Sequence, residues 1–435
     1  MKRQVGWIWG VGMLVWSMAT GYLVHAQETA PSAEAAKAEE PAKPTPWSPV
    51  EATGMADPLK SWGLEIHGLL STDYTFNFNE PKSDKNGLLL FNRKHDHFDL
   101  NLANIRIQRV VDGEIGFVTD LDFGKTAEVV GRTTRWCRTP SFISKNGCHE
   151  SRNSFEATQF YLTYKFPIGS GLSMKLGKFV TLHGAEVIKT WDNMNYNISN
   201  SILFGWSIPF SHTGALFNYA LTDWMSLDAG LITGWDQFSY KVNNGVVFTG
   251  GLTVTLTPTL TFYAAGTVGP EQERIFRDDT TGKIIDVKGR GDSKRGLFTL
   301  LATYKPSDQW TFILDYNHAD ETDLLPPLKP SGRGTNDARW DGLAGYVIYH
   351  FTDAISGTLR AEFFDDVDGV RTGVKQTVWE ITPTLTYQLL PGLTLRAEFR
   401  HDESSKRFFE GPATTSGTRF FSGQDVVAWE VLYAF

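Results

Sequence analysis

Val426-Val427-Ala428-Trp429-Glu430-Val431-Leu432-Tyr433-Ala434-Phe435 is the stretch on which the fold turns. Trp429, Val431, Tyr433 and Phe435 alternate, and a period of two places all four on one face of a strand. Ala428, Glu430 and Ala434 fall on the other face, with Leu432 as its one large apolar residue. A terminal strand with an exposed apolar face invites aggregation in water. A strand whose outer face meets lipid and ends on an interfacial aromatic has no such difficulty.

The whole chain is consistent with that reading. It has 435 residues, 41 of them Gly, with 13% aromatics. Beyond the N-terminal run no stretch reaches eighteen apolar residues, which excludes a bundle of transmembrane helices. Mean hydropathy is only -0.24. A membrane barrel tolerates this value because half of each strand faces a polar lumen. The net charge of -8 argues against nucleic acid as a partner.

Met1-Lys2-Arg3, the uncharged apolar run Val5 to Leu23 and the small residues around Ala26 read as a secretory signal, residues 1–26. Residues 27–60, rich in Ala, Pro, Glu and Lys, read as a disordered periplasmic tether. From residue 61 to 435 the pattern is of strands. Trp62, Leu64, Ile66, Leu70, Tyr74, Phe76 and Phe78 mark one greasy face. Strands follow at about 97–111 and 114–124. In the first of these the outward set Phe98, Leu100, Leu102 changes parity to Ile105 and Ile107, which predicts a β-bulge near Ala103-Asn104. Paired strands recur at 155–166 and 172–182, 213–221 and 224–235, 246–257 and 259–268, 295–304 and 309–319, 340–351 and 354–364, and 376–389 and 393–402, before the last strand.

The count is about sixteen strands. Seven connections are short turns and eight are long polar loops, which is the asymmetry of short periplasmic turns and long extracellular loops. The predicted fold is therefore all-β, a transmembrane antiparallel barrel. Closure follows from the solvent, because in hydrocarbon both edges of a sheet must be paired. Sixteen strands enclose more space than their own side chains fill.

The inward positions are charged. Arg360 and Glu362 lie on the thirteenth strand, Glu380 on the fourteenth, and Arg396, Glu398 and Arg400 on the fifteenth; across the wall lie Arg106, Asp120, Asp122 and Lys175. Charges of both signs around water create a field that passes small polar solutes and screens lipophilic ones. The plain alternative is a set of wall charges that stabilise one another. The third long loop, about 183–212, contains Trp191, Tyr196, Ile198, Ile202, Leu203, Phe204, Trp206, Ile208 and Phe210. So many apolar groups will not stand in water, and the loop is expected to fold into the lumen or across its mouth. Cys137 and Cys148, in an exported chain, read as one disulfide closing a loop. His95-Asp96-His97 reads as a solvated turn. Asp365-Asp366-Val367-Asp368-Gly369 lacks the acidic residue a calcium loop needs six positions after its Gly, where Lys375 stands. No metal or cofactor is expected.

Two resemblances follow from these residues. The ending resembles the C-terminal signal of bacterial outer-membrane barrels, which implies recognition by the barrel-assembly machinery. Gly177-Lys178-Phe179, Gly184-Ala185-Glu186, Asn195-Tyr196-Asn197-Ile198-Ser199-Asn200-Ser201, Pro209-Phe210-Ser211-His212-Thr213-Gly214 and Gly230-Leu231-Ile232-Thr233-Gly234-Trp235-Asp236 resemble the core of the β-barrel porin-2, or OmpL-like, outer-membrane porins. The family usually reads Ser-Arg-Ser where this chain has Ser199-Asn200-Ser201. The resemblance implies passive diffusion of small solutes, and Glu186 joins the candidate pore-lining residues.

The sequence thus predicts a porin in the outer membrane of a Gram-negative-type bacterium, in contact with membrane lipid. It would pass small hydrophilic solutes or ions through a water-filled, mixed-charge lumen, with a homotrimer expected by analogy alone. The competing reading is a non-transport barrel, an adhesin, receptor or anchor acting through its loops. A hydrolase would need a Ser/His/acid cluster, and no Gly-x-Ser-x-Gly elbow is present.

Overall fold

The computed structural model describes residues 45–134, 154–238, 245–271, 275–277, 284–286, 294–322, 337–415 and 417–435. Cys137, Cys148 and the signal sequence lie outside these residues. Sixteen antiparallel strands close a barrel. They are β1 Glu65–Asn77, β2 His97–Arg109, β3 Gly116–Phe123, β4 Phe155–Phe166, β5 Leu172–Val180, β6 Ser211–Thr222, β7 Met225–Ile232 and β8 Val247–Thr257. The second half comprises β9 Leu260–Pro270, β10 Lys294–Tyr304, β11 Trp310–Glu321, β12 Ala338–His350, β13 Ile355–Asp366, β14 Gln376–Leu390, β15 Leu393–Ser404 and β16 Gly423–Ala434. Each strand pairs with its sequence neighbour, and β16 closes on β1 from Leu69↔Ala434 to Asn77↔Val426.

The final strand shows why the alternation matters. Trp429 and Val431 are 50% and 45% exposed on the outer face, whereas Ala428, Glu430 and Leu432 are buried inside. Backbone groups of Phe435 and Gly68 exchange two hydrogen bonds of 3.0 Å. The phenyl ring lies over Gly68 so closely that a Cβ there would sit 2.5 Å from it. A larger residue at this point of the seam would have to displace the Phe435 ring.

Two details differ from the expected pattern. The bulge on β2 falls at Asn101, where pairing shifts between Ser71↔Leu102 and Thr72↔Leu100, not at Ala103-Asn104. The extra residue turns Leu102 inward, against Leu69 and Leu432 and next to Trp191 and Met194. Leu102 therefore leaves the lipid-facing set, and Leu432 finds its reason: both belong to an inner apolar seam. Between residues 45 and 64 the chain forms two short helices, α1 Pro49–Ala52 and α2 Ala56–Ser61. The Ser48 side chain accepts from the Val50 N–H and Pro49 opens α1, the usual signals of a helix start.

Helix α3, Lys125–Thr134, packs on β2, β3 and β4. Its Val130 meets Leu88 and Phe91 from the first long loop, Phe204 and Phe210 from the third, and Trp340 and Phe364 of the wall in one apolar cluster.

Candidate functional site: the third loop and the inner wall

Loop three leaves β5 through a set of unusual backbone positions. Gly177 has φ +139°, and a Cβ there would lie 2.3 Å from the Phe160 carbonyl oxygen. Next to it within β5, Lys178 is buried, and its Nζ donates to Glu156 Oε1 and the Ala157 carbonyl at 2.8 Å. The loop then reaches the far wall. His183 is held between Thr299 of β10 and Thr267 of β9, at 2.8 and 2.7 Å. Gly184, at φ +84°, redirects the chain, and the Ala185 N–H donates to Asp315 of β11 at 2.8 Å.

Glu186 is the hub. Its carboxylate accepts from Tyr346 of β12, from Arg360 of β13, and from Asn200 and the Ser201 N–H of the returning arm, all at 2.8–3.0 Å. Lys189 reaches Glu430 of β16 at 2.7 Å and donates to the Ile198 carbonyl. At the tip, the Trp191 ring stacks on His67 of β1 at 3.7 Å, and Asp192 stands 3.6 Å from Arg106 of β2.

The returning arm is held chiefly by its backbone. The N–H groups of Ile198 and Ser199 donate to Glu398, at 2.7 and 3.0 Å. Those of Ile202 and Leu203 donate to Glu362, at 2.5 and 3.1 Å. Arg360 donates to the Ser199 carbonyl, Arg400 to that of Asn200, and Arg396 to those of Met194 and Asn195. Apart from the helical turn Leu203–Ser207, this arm has no helix to pair its peptide groups, and the wall charges supply partners from Met194 to Leu203. The arm ends where Asp236 accepts from the Phe210 and Ser211 N–H groups, at 2.8 and 2.9 Å.

The structure separates the candidate residues into two groups. Glu186, Arg360, Glu362, Glu380, Arg396, Glu398 and Arg400 converge on loop three and are buried, Arg360 at 0% exposure. Glu380 joins through Arg360, at 2.7 Å. The others stand on the facing wall. Arg106 forms a two-pronged pair with Asp120, both contacts 2.8 Å. Asp122 accepts from Asn104 at 2.7 Å. Lys175 keeps accessible surface, with its ammonium 5.2 Å from the Tyr161 ring centre. The sequence reading missed Glu430, Asp315 and Asp402, although their inward parity was available, and it missed Lys189, Asp192 and His67. For Lys189 and Asp192 no signal existed, because an irregular loop has no period.

A second charged group lies at the extracellular ends of the strands. Arg295 of β10 and Arg371 pack over the Trp235 ring at 4.6 and 5.6 Å, and Glu271 accepts from the Trp235 N–H at 3.1 Å. Burial pushes Glu271 up to about 7, opposed by Arg295. Burial likewise pushes Asp236 up to about 6, against the hydrogen bonds from Ser211 and Phe210. Burial beside Arg295 lowers Arg371 to about 10.

A closed sixteen-strand barrel with a lipid-facing outer wall and a long loop held against its polar inner wall has the architecture of an outer-membrane porin. The chain belongs to the family described as "Putative beta-barrel porin-2, OmpL-like", whose model matches residues 63–435. Its fold is similar to that of OprB from Pseudomonas putida, solved at high pH, with 11% identity over 91% of this chain and 100% of that one, TM-score 0.56. It is also similar to an anion-selective porin from Comamonas acidovorans (10% identity, 86% and 99% covered, TM-score 0.52) and to a trimer form of OmpT from Vibrio cholerae (12%, 86% and 99%, 0.51). Among curated proteins nothing matches this sequence. The protein is a passive diffusion channel of the outer membrane.

Proposed function

We propose that loop three is the constriction through which small hydrophilic solutes or ions pass, and that its free edge meets them. One observation carries this reading. The loop is fixed to the wall from β9 to β16, yet Leu182, Ala185, Val187, Tyr196 and Asn200 keep accessible surface and Asp192 is 47% exposed. Arg106 and Lys175 of the facing wall keep accessible surface as well. On this reading Arg106, Lys175 and Asp192 act on the solute directly, with Asp120 and Asp122 setting the charge behind them. Glu186, Arg360, Glu362, Glu380, Arg396, Glu398 and Arg400 then act by holding the loop.

The apolar cluster of Leu88, Phe91, Val130, Phe204 and Phe210 narrows the extracellular half, so the expected conductance is small for a barrel of this size. Single-channel recording of the refolded protein in a planar bilayer, with reversal potentials in a salt gradient, tests the proposal. Small, stable steps support it, and a folded, inserted barrel that gives no steps would overturn it in favour of a loop-based anchor or receptor. The proposal further includes a homotrimer, export by residues 1–26, a periplasmic tether over the part of 27–60 that precedes residue 46, a Cys137–Cys148 disulfide, and delivery to the assembly machinery by the last strand.

A further inference from the structure

The segment ahead of β1 crosses the one junction of the barrel that no turn closes. Its first part lies against the C-terminal side of the seam. The Tyr433 hydroxyl donates to the Trp47 carbonyl, and the Pro46 Cβ is 2.7 Å from where a Cβ on Gly392 would stand. Its last part lies on the N-terminal side. Arg109 Nε of β2 donates to the Trp62 carbonyl at 3.2 Å, and Gly63, at φ +66°, packs on Val111. Between these contacts run α1 and α2.

The side chains this segment leaves uncovered are large and apolar. Trp47 is 64% exposed, Trp62 60% and Met55 44%, and only Glu51, Asp57 and Lys60 are charged between residues 46 and 62. These three side chains continue a band that the barrel already has. Ile115, Ile168, Trp224, Phe351 and Leu390 are all exposed at the short turns or the strand ends beside them. Leu390 is two residues from Gly392, against which Pro46 rests, and Tyr433 lies on the outer face of β16. The segment therefore sits where the lipid-facing wall meets the periplasmic boundary. At that depth an indole has its apolar body in the acyl boundary and its N–H among headgroups, which is where tryptophan concentrates in membrane proteins.

We propose that residues 46–62 form an interfacial strap, with Trp47, Met55 and Trp62 seated in the headgroup–acyl boundary of the phospholipid leaflet facing the periplasm. The strap holds the β16–β1 seam from outside, as Phe435 over Gly68 holds it from within the sheet. This role is independent of permeation.

The test uses the full chain labelled with 5-fluorotryptophan and reconstituted in phosphatidylcholine vesicles. Trp47→Phe and Trp62→Phe identify the two resonances, each by the loss of one peak from an otherwise unchanged spectrum. Phosphatidylcholine carrying a nitroxide near the headgroup should broaden both peaks several-fold more than a water-soluble gadolinium chelate does. Broadening by the chelate and not by the lipid would place the segment in water and overturn the proposal. Protection from both reagents would place it against protein, such as a second copy of the chain, and would overturn it equally.

Discussion

On β13 to β15 the inward charges Arg360, Glu362, Glu398 and Arg400 hold the backbone of another segment, whereas on β2 and β3 Arg106, Asn104, Asp120 and Asp122 hold one another. Both walls show the same alternation of lipid-facing apolar and inward charged residues. The difference lies in what each inner surface meets. The β13–β15 wall is covered by the returning arm of loop three, and its carboxylates accept N–H groups of that arm while its guanidinium groups donate to its carbonyls. The β2–β3 wall meets the tip of the loop, through Leu102 beside Trp191 and Met194 and through Arg106 at Asp192, and its charges close into neighbour pairs across the strands. Inward charge thus holds the loop on one side and pairs across neighbouring strands on the other.

The largest test of this contrast is Arg360→Met. It removes the cation that Glu186 and Glu380 share in a buried site and frees the Ser199 carbonyl. Removing one partner of a buried pair typically costs about 3–5 kcal/mol. Thermal unfolding should shift down markedly, and single-channel recordings should show larger or unstable steps as loop three loosens. Unaltered conductance with lowered stability would mean that the loop does not depend on this anchor.

Glu398→Ala comes next. It removes the acceptor of the Ile198 and Ser199 N–H groups and of Thr384. Leaving buried donors unsatisfied costs about 1–3 kcal/mol, so the loss in unfolding measurements should be smaller than for Arg360→Met, with a modest rise in current noise. Asp120→Asn on the facing wall should do the opposite. Loop three stays in place and conductance changes little, but the reversal potential moves toward anion preference as Arg106 loses its counter-charge. A collapse of stability equal to that of Arg360→Met would erase the distinction between the two walls.

The smallest effect is expected from pH. Glu271 and Asp236 are both raised by burial, to about 7 and about 6. The folded protein therefore binds protons that the unfolded chain releases in this range, so stability falls as pH rises from about 4 through 7. Melting temperature should accordingly be higher at pH 5.5 than at pH 8, and Glu271→Gln should flatten the upper part of that slope. An unchanged slope in the Glu271→Gln variant would remove Glu271 from the explanation.

The strands, their number and their inward and outward faces were legible in the amino-acid sequence, because a hydrocarbon solvent on one side and a polar lumen on the other impose a period of two that nothing else in the chain imitates. The apolar load of loop three was equally visible. The position of Leu102 was not, because one bulge residue reverses a face and the alternation locates it only to within a few residues. Nor did the sequence reveal that Glu186 gathers Tyr346, Arg360, Asn200 and Ser201, or that Glu362 and Glu398 accept backbone N–H groups. Those contacts join residues as much as 200 positions apart, in a loop without periodicity. Local pattern carries which way a side chain points from a strand; only closure of the barrel around the loop decides what it points at, since an unpaired peptide group takes whichever charge the wall brings within reach.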